Sequence, residues 1–303
     1  MTFLVRWLAS VAWIVMAAAW TARAEKRWNV AVLTTEYRHN SHADVIASRL
    51  VLTDMLDGTG KESPLRMASV FTDQRPANDI SRLLAASHRF RIATNIEDAL
   101  TLGTGTLAVD GVLLIAEHGN YPRSATGNTQ YPKRRFWDET VRVFERSGRV
   151  VPVFVDKHLA DNWDDARHIH DGARRRGIPL MAGSSVPGSW RQPAVDIPRG
   201  EKLSSVLVVT YGSTDHYGFH ALECLQALVE QRAGGETGVR RVRGRAGADA
   251  WNGMTGPAFD HALLTSALAR LGVTNTLAEW KARVERSEEH TSELQSRVDI
   301  SYA

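Results

Sequence analysis

Short apolar runs alternating with helix-length segments constrain this chain more than any other feature. The runs fall at residues 28–35, 66–72, 89–93, 111–116, 150–155, 180–183 and 206–211. Four to eight apolar residues without in/out alternation is how a parallel strand buried on both faces reads. The intervening segments predict crossover helices over 41–56, 78–87, 134–147 and 162–176, with Ser41 and Asp161 as N-caps and Gly148 and Gly177 as left-handed C-terminal residues. The fold class that follows is α/β: a Rossmann-like, doubly wound, mostly parallel sheet over 25–190. A smaller C-terminal α+β part, the substrate-side region over 191–285, continues with the last strand and a helix over 219–232. Gly103, Gly105 and the stretch 119–132 mark loops, and no internal repeat is evident. Residues 234–256, rich in glycine and arginine, read as a flexible solvated segment before a final helix over 257–271.

Both ends fall outside this pattern. Arg6 precedes an apolar run over 7–20, and Ala22-Arg23-Ala24 supplies the small-x-small pattern of signal peptidase. The expectation is a Sec-type signal peptide over 1–24 and an exported, periplasmic or extracellular protein. The run is shorter than the ~20 residues of a membrane span, so no stable span is expected after cleavage. At the other end, residues 286–296 (Arg-Ser-Glu-Glu-His-Thr-Ser-Glu-Leu-Gln-Ser) and 300–303 (Ile-Ser-Tyr-Ala) match a common sequencing adapter translated in frame. Residues 286–303 are therefore read as an adapter artefact, which leaves the C-terminal part open to truncation.

Composition narrows the function classes. A 43% hydrophobic and 23% charged chain of 303 residues is an ordinary globular mix. Its formal charge of +3 gives no field that argues for nucleic acid, and the basic run 240–245 lacks interleaved aromatics. The single cysteine, Cys224, excludes an internal disulfide and a Cys-based zinc cluster, and it lies on an apolar helix stripe with Leu222, Leu225 and Leu228. Polar chemistry gathers at the strand ends: Thr34 to His42, Glu117 to Asn120, Asp156-Lys157-His158, Gly183-Ser184-Ser185 and Asp215 to His220. In an open parallel sheet ligands bind outside the carboxyl ends of the strands, so these clusters predict a cleft for a small molecule.

Three ordered motifs carry a family resemblance over roughly residues 28–225. Ile96-Glu-Asp-Ala-Leu100 followed by Asp110-Gly-Val112 is one, and Asp156-Lys157-His158 followed by a helix and Leu180-Met-Ala-Gly183 is the second. The third is His216-Tyr-Gly-Phe-His220-Ala-Leu-Glu223. Together they resemble the glucose-fructose oxidoreductase/inositol dehydrogenase (Gfo/Idh/MocA) family. The resemblance implies an oxidoreductase acting on a sugar- or polyol-like hydroxyl. It makes Lys157 the proton-handling, substrate-orienting lysine and His220 the acid/base, with His216 beside them in the family's catalytic Asp position. It places Thr34, Thr35, Glu36, Arg38, Asn40, Asp73, Glu117 and His118 around an NAD(P) cofactor, and Asp156, His158, Ser184 and Tyr217 around substrate.

The departures work against the cofactor. Where the family has a Gly-x-Gly-x-x-Gly turn, residues 34–43 contain no glycine, so side chains take the place of the phosphate. His158 replaces the proline of the family's Glu-Lys-Pro turn, and an exported protein meets no obvious dinucleotide pool. A second reading uses His216, His220 and Glu223 as ligands of a divalent metal, with Glu117, His118, Asp156 and His158 completing the shell, for hydrolase, lyase or isomerase chemistry. A third is a non-catalytic small-molecule-binding protein. Gly183-Ser184-Ser185 is not a Gly-x-Ser-x-Gly elbow, and a homo-oligomer is compatible with all three readings.

Overall fold

The computed structural model describes residues 27–55, 58–189, 191–192, 194, 196–210, 214–245, 248–254, 259–270, 278–279 and 297–302. The signal-peptide expectation and most of the adapter-like tail lie outside them. Six strands form one parallel sheet: β1 (Trp28–Thr34), β2 (Leu65–Thr72), β3 (Arg91–Ile92), β4 (Gly111–Ile115), β5 (Val153–Asp156) and β6 (Leu180–Gly183). Their order is β3-β2-β1-β4-β5-β6. The chain therefore steps outward from β1 in one direction and then, from β4, in the other. This is the doubly wound Rossmann-like α/β fold, and its order reversal lies between β1 and β4.

β1 is central and pairs in parallel with both β2 and β4. Ala31, Val32 and Leu33 have no exposed surface. Burial of a large aliphatic side chain contributes roughly 1.5–3 kcal/mol, so the unalternated run is stable only as an inner strand. The helices that follow are α1 (His42–Ala47), α2 (Ser81–His88), α3 (Ile96–Thr101), α4 (Lys133–Ser147) and α5 (Trp163–Arg176). α4 buries Phe136, Trp137, Thr140, Val141, Val143 and Phe144, a stripe at helical spacing. Gly172 of α5 lies against the Trp137 indole, where a Cβ would meet Nε1 at 3.4 Å.

Several boundaries differ from those expected. The helix expected over 41–56 ends at Ala47 and tightens into a 3-10 turn over Ser48–Leu50. There the Ser48 hydroxyl back-bonds to Asp44 at 2.7 Å, and Arg49 holds the carbonyls of Thr53 and Met55. Asn162, not Asp161, caps α5, its side chain accepting from the Asp165 amide at 2.8 Å. Gly148 and Gly177 do end their helices in the left-handed conformation. No strand forms over 206–210, because an apolar run becomes a strand only when its backbone finds a partner.

The chain divides into two compact units. The first holds the residues up to Asn120 with Tyr131–Phe154 and Asn162–Met181; the second holds Tyr121–Gln130, Val155–Asp161 and the chain from Ala182. In the second unit a π-helical turn, Thr214–Gly218, leads into α6 (Phe219–Val229). β7 (Val239–Arg245) and α7 (Ala248–Gly253) occupy the segment expected to be irregular, and α8 (His261–Arg270) follows. β7 pairs antiparallel with β8 (Arg297–Tyr302), which lies within the adapter-like tail. Its side chains are exposed up to Gly244, so its backbone is paired while its surface stays solvated.

Burial of Asp165 works to raise its pKa, but the Asn162 side chain and the Arg134 guanidinium outweigh it and hold the carboxyl below the usual carboxylate range. A group so depressed contributes stability above the unfolded value of about 4, and that contribution is lost as pH falls through the lower folded value. Asn162→Ala is expected to cost about 1 kcal/mol at pH 7, and somewhat less once pH falls through the lowered folded value and the Asn162–carboxylate bond is lost, as measured by urea unfolding.

Candidate functional site

In the first unit, the ends of β1 and β4 are joined by side chains. Thr35 Oγ1 donates to the Glu117 carbonyl at 2.5 Å, and the Thr35 amide donates to the Ile115 carbonyl. The Glu117 carboxylate is 3% exposed and pairs at 2.8 Å with Lys133 Nζ, itself 1% exposed. Lys133 opens α4, so its charge sits against the positive end of a 15-residue helix as well as out of water. The Glu117 carboxylate offsets both unfavourable placements at that residue. Next along the chain, His118 has φ 71° and Gly119 φ 101°. A left-handed histidine costs on the order of 1–3 kcal/mol and marks a position held by its surroundings. Its ring meets that of His42 edge-on at 5.1 Å. Gln74, after β2, clamps Asn120 through two hydrogen bonds of 3.0 and 2.9 Å.

The turn from β1 to α1 is where a dinucleotide fold seats pyrophosphate. Here its own side chains fill it. Ser41 Oγ accepts from the amides of Arg38 and Asp44, each at 3.3 Å. The Asp44 carboxylate accepts from the Asn40 amide at 2.9 Å and from Ser48, and Asn40 takes φ 58° to reach it. Tyr37 is fully buried beneath, with its hydroxyl 2.9 Å from Ser48 Oγ. Burial pushes that phenol far above its ordinary pKa, with the Asp44 and Asp79 charges adding to the effect, so it is a neutral donor. Arg38 pairs with Glu36 at 3.2 Å. Asp73, the expected ribose acceptor, is taken by Arg135 at 2.7 Å. A carboxylate stands where phosphate oxygens would go, and these residues do not fit the pyrophosphate half of a dinucleotide.

The remaining expected residues lie in the second unit. Asp156 and Lys157, at the end of β5, are buried, and the ring of His158 meets Phe219 edge-on at 5.7 Å. Ser184, His220 and Glu223 are brought together. Ser184 Oγ is hydrogen-bonded to His220 Nδ1, the Ser184 amide donates to Glu223 at 3.1 Å, and the Val186 amide donates to Ser184 Oγ at 3.0 Å. The direction of the Ser184–His220 bond follows the imidazole tautomer, since a hydroxyl that already accepts from Val186 can still either donate to Nδ1 or accept from it. Gly183 has φ 146°, a backbone angle that favours glycine, and a Cβ there would lie 2.8 Å from the Glu223 Oε2 end of its side chain. Tyr217 is exposed with its ring 6.5 Å from that of His220, and Asp215 accepts from the Thr129 amide at 3.2 Å.

Two expectations are corrected. The cluster 215–220 stands on a π-turn and a helix start, because the strand expected before it does not form. The metal reading is not supported: among the described residues no group of three His, Cys, Asp or Glu side chains is disposed to hold an ion. His220 and Glu223 are instead spent on Ser184. Burial raises the Cys224 pKa against the lowering effect of Arg191, which keeps it a thiol.

Sequence reasoning missed Lys133 and Asp44. Lys133 reads as one more cation in Lys133-Arg134-Arg135, and Asp44 as an ordinary acidic residue in a first helical turn; nothing in the residues alone shows that one is buried and the other turned inward.

No family model and no curated protein matches the chain. Solved structures do. It is similar to a biliverdin reductase from Synechocystis, crystallised with biliverdin and NADP+, at 14% identity over 72% of this chain and 61% of that one, with a TM-score of 0.37. A UDP-N-acetylglucosamine 3-dehydrogenase from Acidithiobacillus ferrooxidans matches at 13% identity over 73% and 61%, with a TM-score of 0.42. A Gfo/Idh/MocA family oxidoreductase from Vibrio cholerae matches at 15% identity over 73% and 61%, with a TM-score of 0.41. The chain thus spans 61% of the length of each of these three structures.

Removing one member of the buried pair takes the opposite charge at 2.8 Å from the other. Lys133→Met and Glu117→Gln are each expected to cost about 3–5 kcal/mol, whereas the double substitution Glu117→Gln/Lys133→Met should cost less than their sum in a double-mutant cycle read by chemical unfolding.

Proposed function

We propose that this chain is an exported, oxidoreductase-like protein that acts on a small sugar- or polyol-like molecule at the carboxyl edge of its sheet. His220 and Lys157 are its proton-handling residues. The observation that carries this reading is the Ser184 hydroxyl on His220 Nδ1. An imidazole already oriented by an alcohol oxygen and a carboxylate-pinned loop suits the exchange of a proton with a substrate hydroxyl. Lys157, buried at the end of β5, supplies a cation that orients hydroxyl oxygens. The order of the motifs that resemble the Gfo/Idh/MocA family supports the substrate class. No step is routed through NAD(P), because the β1–α1 turn does not fit it.

Calorimetric titration of the purified full chain with myo-inositol, glucose and sorbitol tests the reading. Saturable binding of at least one is expected, weakened at least tenfold by His220→Ala. Binding of none of the three, or binding indifferent to His220→Ala, overturns it. For export, N-terminal sequencing of the protein recovered from the periplasm of an expressing bacterium should begin at Glu25; a mature chain retained in the cytoplasm and beginning at Met1 overturns that part.

A further inference from the structure

Ser184 is an alcohol of the chain's own, already hydrogen-bonded to an imidazole within the second unit. We propose that Ser184 is a nucleophile activated by His220, and that the pair transfers the acyl group of a small neutral ester to water through an acylated serine. This activity goes beyond the polyol reading and does not rest on it, because the reacting hydroxyl belongs to the protein.

Three observations carry the proposal. Ser184 Oγ and His220 Nδ1 are within hydrogen-bond reach, the relation a serine nucleophile needs with its base, and both residues are only half-buried, which leaves the pair open to a small reagent. The Val186 amide donates to the same oxygen at 3.0 Å and stabilises the charge that builds on it as its proton leaves. Glu223 accepts from the Ser184 amide at 3.1 Å and stands three residues after His220 on α6, where a carboxylate favours the protonated imidazole. The chain has no Gly-x-Ser-x-Gly elbow; Glu223 holds the serine in place instead, on a loop that turns at Gly183.

The step uses the tautomer with the ring proton on Nε2, in which Nδ1 accepts from the hydroxyl. Oγ bonds to the ester carbonyl carbon as its proton passes to Nδ1; the ester C–O bond then breaks, and the departing alcohol carries that proton away. Water gives a proton to the same nitrogen and attacks the acyl carbon, the bond to Oγ breaks, the carboxylic acid leaves and the proton returns to Oγ. Two neighbours set the substrate class. Tyr217, 41% exposed, lays an apolar ring 6.5 Å from that of His220, and Glu223 puts a negative charge beside the serine. They favour a neutral ester with a short apolar or aromatic group over an anionic one.

The test uses the full chain with two probes. After treatment with a fluorophosphonate, peptide mapping by mass spectrometry should find the adduct on Ser184, and 4-nitrophenol release from 4-nitrophenyl acetate should fall at least tenfold in Ser184→Ala and in His220→Ala. No adduct on Ser184, or release unchanged in Ser184→Ala, overturns the proposal; labelling of Ser184 undiminished in His220→Ala overturns the activation by His220. The wild-type peptide map names the modified residue directly, so it decides the matter even if a variant fails to fold. A Ser184 adduct in a chain that binds none of myo-inositol, glucose and sorbitol supports this activity and overturns the proposed function, and polyol binding without a Ser184 adduct does the reverse.

Discussion

A strand that is paired on both edges and has no exposed surface over Ala31, Val32 and Leu33 must deliver all of its polar chemistry at its end. β1 is that strand, and the rest of the first unit is arranged around its carboxyl end. The order reversal beside it sets β2 to one side and β4 to the other, so Asp73, Thr35 and Glu117 all emerge at one edge because parallel strands end together. The Thr35–Glu117 hydrogen bond and the Glu117–Lys133 pair then tie β1, β4 and the start of α4 to one another at that edge.

The β1–α1 turn shows how a fold keeps its shape while changing what it can hold. Glycines in such a turn leave amides open to an anion. Here serine, aspartate and asparagine stand in that segment, and their side chains satisfy the amides internally. The helix that follows is short, and its first turn carries the anion that a phosphate would otherwise supply. In the second unit, a similar economy ties Ser184 to two residues of α6, one through its hydroxyl and one through its amide.

Much of this architecture is legible in the residues. The apolar runs of β1, β2 and β4 announce buried parallel strands, and the glycines at 148 and 177 mark helix ends because a left-handed residue without a Cβ is the least strained way to stop a helix. The run at 206–209 is as apolar as these and forms no strand, since pairing depends on a neighbour that composition does not reveal. Asn162 and Asp161 are both competent caps, and only the backbone angle at Asn162 selects between them. The strand-end clusters were readable as polar sites, yet their internal pairings were not: Glu223 reads as a metal ligand and stands in the structure as an acceptor for a backbone amide.

By itself the sequence determined the layer architecture, the two helix ends at Gly148 and Gly177, the missing glycine turn and the set of ionisable residues that follow the strands. These are local properties: periodicity, the presence or absence of a Cβ, and side-chain chemistry act within a few residues of one another. Tertiary structure alone decided that Lys133 is buried on Glu117, that Asp44 turns back onto its own loop and that Ser184 meets His220. Each of those contacts joins segments, or a side chain and its turn, in a geometry set by how the strands and helices pack, and the free energy of a charge or hydroxyl depends on that surrounding rather than on its neighbours in the chain.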